Sequence, residues 1–143
     1  MEGFYNVDIS DSSRADGVMD LLKPNWAIPS DVFELVICNH FVEHIPREKL
    51  PVFMNEVYRT CKDGAVIQIE APHWSSDNFH TDPTHCLPIS ERTFDFFDKR
   101  KPLGENGRLY GWLDGMDFEV LSSKLIPNPP NGPDVKIVLQ VHK

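Results

Sequence analysis

The sequence predicts an α/β domain whose sheet is mostly parallel and closes on an antiparallel strand pair, and three observations carry this. Val32 to Asn39 is almost wholly apolar and β-branched or aromatic, the pattern of a strand buried on both faces in a parallel sheet. Leu50, Phe53, Met54, Val57 and Cys61 recur at the three-and-four spacing of one helix face. Phe118 to Ile126 and Asp134 to His142 are β-prone runs separated by a Pro-rich turn, which makes them antiparallel neighbours.

Taken in order, Phe4 to Asp8 is a short strand ending in an acid, and Gly17 to Leu21 is a second short run with Asp20 near its end. Lys23-Pro24-Asn25 and Ile28-Pro29-Ser30-Asp31 then break regular structure. Val32 to Asn39 is the expected centre of the sheet. The helix is predicted over Arg47 to Lys62, with Pro51 accommodated in its first turn and Asp63-Gly64 ending it. Ala65 to Ala71 is the next strand, and Pro72 to Pro88 is a long polar loop rich in His and Asp. Ser90 opens a short helix carrying Phe94, Phe96 and Phe97, expected over a pocket mouth.

The 143 residues suit a single domain spanning 1–143. Hydrophobic residues at 41% and charged residues at 25% are an ordinary globular mix, which excludes a fibre or a disordered chain. Fourteen Lys plus Arg against 22 Asp plus Glu give a net charge of -8 with no basic run, so a nucleic acid partner is not expected. No segment approaches membrane-spanning length, and the N-terminus has no signal-peptide pattern, so no membrane partner is expected. Three widely separated cysteines suit a reducing, cytoplasmic setting.

The local text carries a resemblance. Phe33-Glu34-Leu35-Val36-Ile37-Cys38-Asn39-His40-Phe41-Val42-Glu43-His44-Ile45-Pro46 is similar to an "FDLI-xx-xH-xx-EH" signature, with Glu34 in place of Asp. Glu56-Val57-Tyr58-Arg59-Thr60-Cys61-Lys62-Asp63-Gly64 resembles an "E-xx-R-xLKPGG" turn, departing at Asp63 and in having one glycine, and His80-Thr81-Asp82-Pro83-Thr84-His85 resembles a "DPTH" segment. With the order of strands and acids, these resemble the class I S-adenosylmethionine-dependent methyltransferases, of the type 11-like kind. The resemblance implies a Rossmann-like sheet, S-adenosylmethionine as cofactor, and a small molecule or sugar as methyl acceptor. It implies that Asp8, with Ile9 beside it, binds the ribose hydroxyls, that Asp20 and Leu21 meet the adenine, and that Asn39 completes the cofactor set.

The chemistry asks for such residues. A carboxylate at a strand's C-terminal end can accept two hydrogen bonds from vicinal hydroxyls, in the crevice where open α/β sheets bind ligands. Methyl transfer needs an acceptor aligned and, for a hydroxyl or amine, relieved of its proton. His40, His44 and His85 are the candidates for that base. The pairs His40/His44 and His80/His85, with Asp82, have a spacing a divalent metal could use if they converged; since the signature already accounts for them, no metal is expected. Trp74, Phe79, Phe94, Phe97, Tyr110 and Trp112 are aromatics that could line an acceptor pocket, or simply pack in the core.

The family's first strand and Gly-rich loop precede the part matched by Gly3, and no Gly-x-Gly-x-Gly occurs in these residues. The resemblance therefore implies a sheet lacking its first strand and helix, with a gap between the strands at Phe4 to Asp8 and Val32 to Asn39. Each buried side chain lost with that strand forfeits roughly 1.5 to 3 kcal/mol, so compensation is required. The flanking strands could pair directly, another chain could fill the gap, or the sequence could be part of a longer product. Open edges invite pairing, so a homo-oligomer or a gap-covering partner is expected. Two further readings stand beside the methyltransferase: a catalytically inactive binding or assembly module, and a metal-dependent hydrolase or lyase using the His and Asp groups.

Overall fold

The computed structural model describes residues 3–11, 14–111 and 115–143. Two short strands, β1 (Val7–Asp8) and β2 (Gly17–Val18), pair in parallel. A second sheet is formed by β3 (Phe33–Asn39), β4 (Cys61–Pro72), β5 (Phe118–Ile126) and β6 (Asp134–Val141) in the order β3-β4-β6-β5. The β3–β4 ladder is parallel, and the β4–β6 and β6–β5 ladders are antiparallel. The closing pair is thus as expected from sequence.

Period-two alternation sets the core face. Ala65, Ile67, Ile69 and Ala71 of β4 are buried, and Val135, Ile137 and Leu139 of β6 lie opposite Ala71, Ile69 and Ile67 on the same side. Against that face packs α1 (Leu50–Thr60), which buries Leu50, Phe53, Met54 and Val57 along one stripe. Pro51 sits in its first turn, where the missing N–H costs no helical bond. Tyr58 of α1 meets Phe118 edge-on at 5.5 Å.

The helix ends two residues earlier than the sequence suggests. Thr60 Oγ1–H donates to the Glu56 carbonyl at 2.9 Å, and the buried Cys61 turns extended to enter β4 opposite Phe33. Asp63-Gly64 therefore lies inside the strand, with Gly64 at a φ of 78°. The expected centre of the sheet is also corrected. β3 is the outer strand, its only neighbour among the described residues is β4, and Ile37 is exposed on the face away from α1. An apolar, β-branched run reads alike whether one or both faces are covered, and here Phe33, Val36 and Cys38 are the β3 residues packed on the core.

The strands expected to flank a gap do not pair with each other, since β1 takes β2 and β3 takes β4. The loop after β2 instead reaches α1: Trp26 N–H donates to Glu56 at 2.8 Å, and the Trp26 ring packs against Phe53.

Two short helices complete the chain, α2 (Asp77–Thr81) within the His-rich loop and α3 (Pro102–Leu109). α2 starts where Ser76 Oγ accepts the Asn78 N–H. A 3-10 turn spans Thr93–Phe97, and its three-residue period puts Phe94 and Phe97 on one side, both buried, with Phe97 edge-on to Phe118. That side is core rather than a pocket mouth. Among the described residues no helix is long and apolar enough to cross a membrane.

Candidate functional site

β1 ends on Asp8, and the Met19 N–H donates to the Asp8 carbonyl at 2.9 Å, which extends the parallel ladder toward Asp20. Both acids arrive at the same end of the strand pair. Asp8 Oδ1 accepts the Ser10 N–H at 2.8 Å and Asp20 Oδ1 accepts the Leu22 N–H at 3.0 Å, turns that hold each carboxylate in place. The two acids line one cleft of about 290 Å³, walled by Ile9, Leu21, Phe41 and Ile45, with His44 at its side. Four of the five residues that the resemblance assigns to a cofactor thus meet in one place. Asn39 lies exposed at the end of β3 and does not line the cleft.

A wider depression of about 460 Å³ lies among Ser30, Asp31, Tyr58, Arg59 and Lys143. Its cations are already engaged, Arg59 by Glu56 and Lys143 by Asp31, so the narrower cleft is where open chemistry remains.

Behind His44 the two His-bearing motifs converge. β3 is followed by His40, whose φ of 50° is left-handed and whose N–H donates to the Glu70 carbonyl at 2.8 Å. The chain then makes a 3-10 turn, Val42–His44, in which Glu43 is fully buried between Val42 and Ile45. The Glu43 carbonyl anchors the "DPTH" loop by accepting the Cys86 and Leu87 N–H groups at 2.9 and 3.0 Å. Its carboxylate is another matter, since neither oxygen accepts a hydrogen bond. The neighbouring nitrogens stand off at 3.5 Å for His40 Nδ1 and 3.9 Å for His85 Nε2.

The histidines themselves are held. His85 Nδ1 faces the Phe79 carbonyl at 3.1 Å, a group that can only accept, so this nitrogen carries the proton. His85 Nε2 lies 3.6 Å from Asp82 Oδ2. Thr84 Oγ1–H donates to Asp82 Oδ1 at 2.6 Å, so its oxygen accepts from His44 Nδ1–H at 3.0 Å. The Thr84 hydroxyl and N–H hold the Asp82 carboxyl below its ordinary range. The two rings meet edge to face, 4.7 Å apart.

Glu43, His44 and His85 can each offer a donor atom within 4.8 Å of the other two, and so can His40, Glu70 and Asp134. His80 belongs to neither group. Among the three histidines expected as a base, only His44 reaches the cleft. The buried carboxylate of Glu43 and the orienting role of Thr84 are not evident from sequence, which marks Glu43 only as a residue that ties down its loop. The signal available for Glu43 was an acid set within the apolar turn Phe41-Val42-Glu43-His44-Ile45.

Among the described residues, the aromatics that could line an acceptor pocket or pack in the core do not line the cleft. Phe94 and Phe97 are core, Trp74 and Tyr110 are exposed, Phe79 stacks on His85 at 5.7 Å, and Trp112 lies outside the described residues.

No family model matches the chain, and no curated protein matches it by sequence. Solved structures do match in fold. A SAM dependent methyltransferase from Archaeoglobus fulgidus is 22% identical, with a TM-score of 0.56, over 94% of this chain and 74% of that one. The N-methyltransferase NodS from Bradyrhizobium japonicum WM9, in complex with S-adenosyl-L-homocysteine, is 7% identical with a TM-score of 0.60, over 96% and 65%. A putative S-adenosylmethionine dependent methyltransferase from Listeria monocytogenes is 14% identical with a TM-score of 0.55, over 96% and 79%. At such identities the likeness is one of fold: this chain has the Rossmann-like α/β architecture of those proteins and spans about two thirds to four fifths of their length.

Proposed function

We propose that the chain binds the nucleoside part of S-adenosylmethionine and serves methyl transfer to a small-molecule or sugar acceptor. The observation that carries this reading is the meeting of Asp8 and Asp20 at one end of a parallel strand pair, on the rim of one cleft. The residues fit the group. Carboxylate oxygens accept hydrogen bonds from ribose hydroxyls, and Ile9, Leu21, Phe41 and Ile45 offer apolar surface to an adenine face. A cleft of about 290 Å³ stands at the small end of ligand pockets, suited to a nucleoside rather than to a whole cofactor.

When bound, S-adenosylmethionine supplies an electrophilic methyl group on a good leaving group. The chain's share is to hold the ribose, exclude water from the adenine, and remove the acceptor's proton. His44 suits this proton removal, because it lines the cleft and its Nδ1 is engaged by Thr84, which leaves Nε2 to accept a proton. Isothermal calorimetry with S-adenosylmethionine and S-adenosylhomocysteine tests the reading. Binding in the micromolar range is expected, weakened about tenfold to a hundredfold in Asp8→Ala, as the loss of a charged hydrogen bond implies. Absence of binding up to millimolar ligand would overturn it.

A second reading, an assembly module of the same fold without catalysis, draws support from the outer edge of β3, which no described strand covers.

A further inference from the structure

The buried carboxylate of Glu43 has no hydrogen bond to either oxygen, and it faces imidazoles rather than water. A buried carboxylate without a partner costs several kcal/mol, so something must neutralise it. Protonated His85 would do so through a charge-assisted bond of about 2.7–2.9 Å. Its Nε2 instead stands 3.9 Å from Glu43 Oε1 and 3.6 Å from Asp82 Oδ2, and His40 Nδ1 stands 3.5 Å from Glu43 Oε1, all beyond that length; with Nδ1–H given to the Phe79 carbonyl, Nε2 is the ring nitrogen of His85 that is left to bind. A cation held between Glu43 and the Nε2 lone pair would satisfy both.

From this we infer that Glu43, His44 and His85 bind a divalent transition metal of the zinc class. Three features beyond proximity support it. Two imidazoles with one carboxylate suit zinc and its neighbours and do not suit calcium or magnesium, which take oxygen ligands. Each imidazole gives its Nδ1–H to an acceptor, the Phe79 carbonyl for His85 and the Asp82-anchored Thr84 hydroxyl for His44, the outer bonds by which metal-binding histidines are oriented. Zinc bonds of about 2.0–2.2 Å place tetrahedral ligand atoms roughly 3.4 Å apart, so the 3.9 Å between His85 and Glu43 closes by roughly half an ångström, and His44 offers its donor atom within 4.8 Å of both. Three protein ligands are the count of catalytic rather than structural zinc sites.

The inference does not rest on nucleoside binding. Where the metal is bound, His44 is a ligand and not the general base, so the two roles are alternatives for the same nitrogen. The test uses the full chain, stripped with a chelator and titrated with zinc alone, without S-adenosylmethionine, against a chromogenic competitor. One equivalent is expected to bind at micromolar affinity or better. Glu43→Gln and His85→Gln each weaken it by at least about tenfold, while His80→Ala leaves it unchanged. Cobalt substitution gives a readout independent of folding losses in the variants, since a four-coordinate nitrogen and oxygen site produces intense visible bands in the unmodified chain. Failure of zinc to bind the unmodified chain, binding that survives Glu43→Gln intact, or cobalt bands of a purely six-coordinate ion would overturn the assignment.

Discussion

Arg59 shows how much one side chain can organise. It donates from Nε and Nη2 to the buried Glu56 carboxylate, from Nη1 to the Ile28 carbonyl and from Nη2 to the Trp26 carbonyl, pinning the loop before β3 onto α1. Hydrogen bonds from Arg59, joined by the Trp26 N–H, hold the Glu56 carboxyl below its ordinary range against the opposing pull of burial. A depressed folded pKa means that this contribution is present above the ordinary carboxylate value and is lost as pH falls through the folded one. Arg59→Ala is expected to lower the unfolding free energy by ~3 kcal/mol at neutral pH, and by less in acid, where Glu56 takes up a proton; denaturant titrations at two pH values check this. At this scale the sequence was partly legible. Asp8 and Asp20 could be placed at strand ends because an acid closing a β-prone run marks one, whereas the burial of Glu43 depends on a loop some forty residues away folding back over it.

α1 was the most readable element, because an apolar stripe and a first-turn proline constrain a helix locally. Its end was not, since the side-chain bond from Thr60 and the pull of the sheet on Cys61 are tertiary effects. α3 depends on a contact that composition hides. A Cβ on Gly104 would fall 1.9 Å from the Asp98 backbone carbonyl, and Asp98 is a buried hub that accepts the Val120 and Arg100 N–H groups, both at 2.9 Å. Gly to Ala inside a helix ordinarily gains up to ~1 kcal/mol. Here Gly104→Ala is expected to lose roughly 1–3 kcal/mol through overpacking, a reversal of sign that thermal unfolding will detect.

At the scale of the whole molecule, no described strand pairs with the outer edge of β3, and Ile37 within it and Val32 just before it are exposed. The sequence pattern points to a central β3 because hydrophobic content reports what a strand can bury and not how many neighbours it finds. A free edge of this kind invites pairing, so sedimentation equilibrium is expected to show self-association that Ile37→Lys, a charge on the edge strand, reduces. A species that stays monomeric at high concentration would contradict this. The three thiols divide differently. Burial pushes Cys38 up to about 12 and Cys61 up to about 11, while Cys86 is exposed beside His85. The folded chain therefore offers an electrophile one natural attachment point, on the very loop that closes over the imidazole cluster, so a dye placed there would sit next to the ligands without any engineered residue.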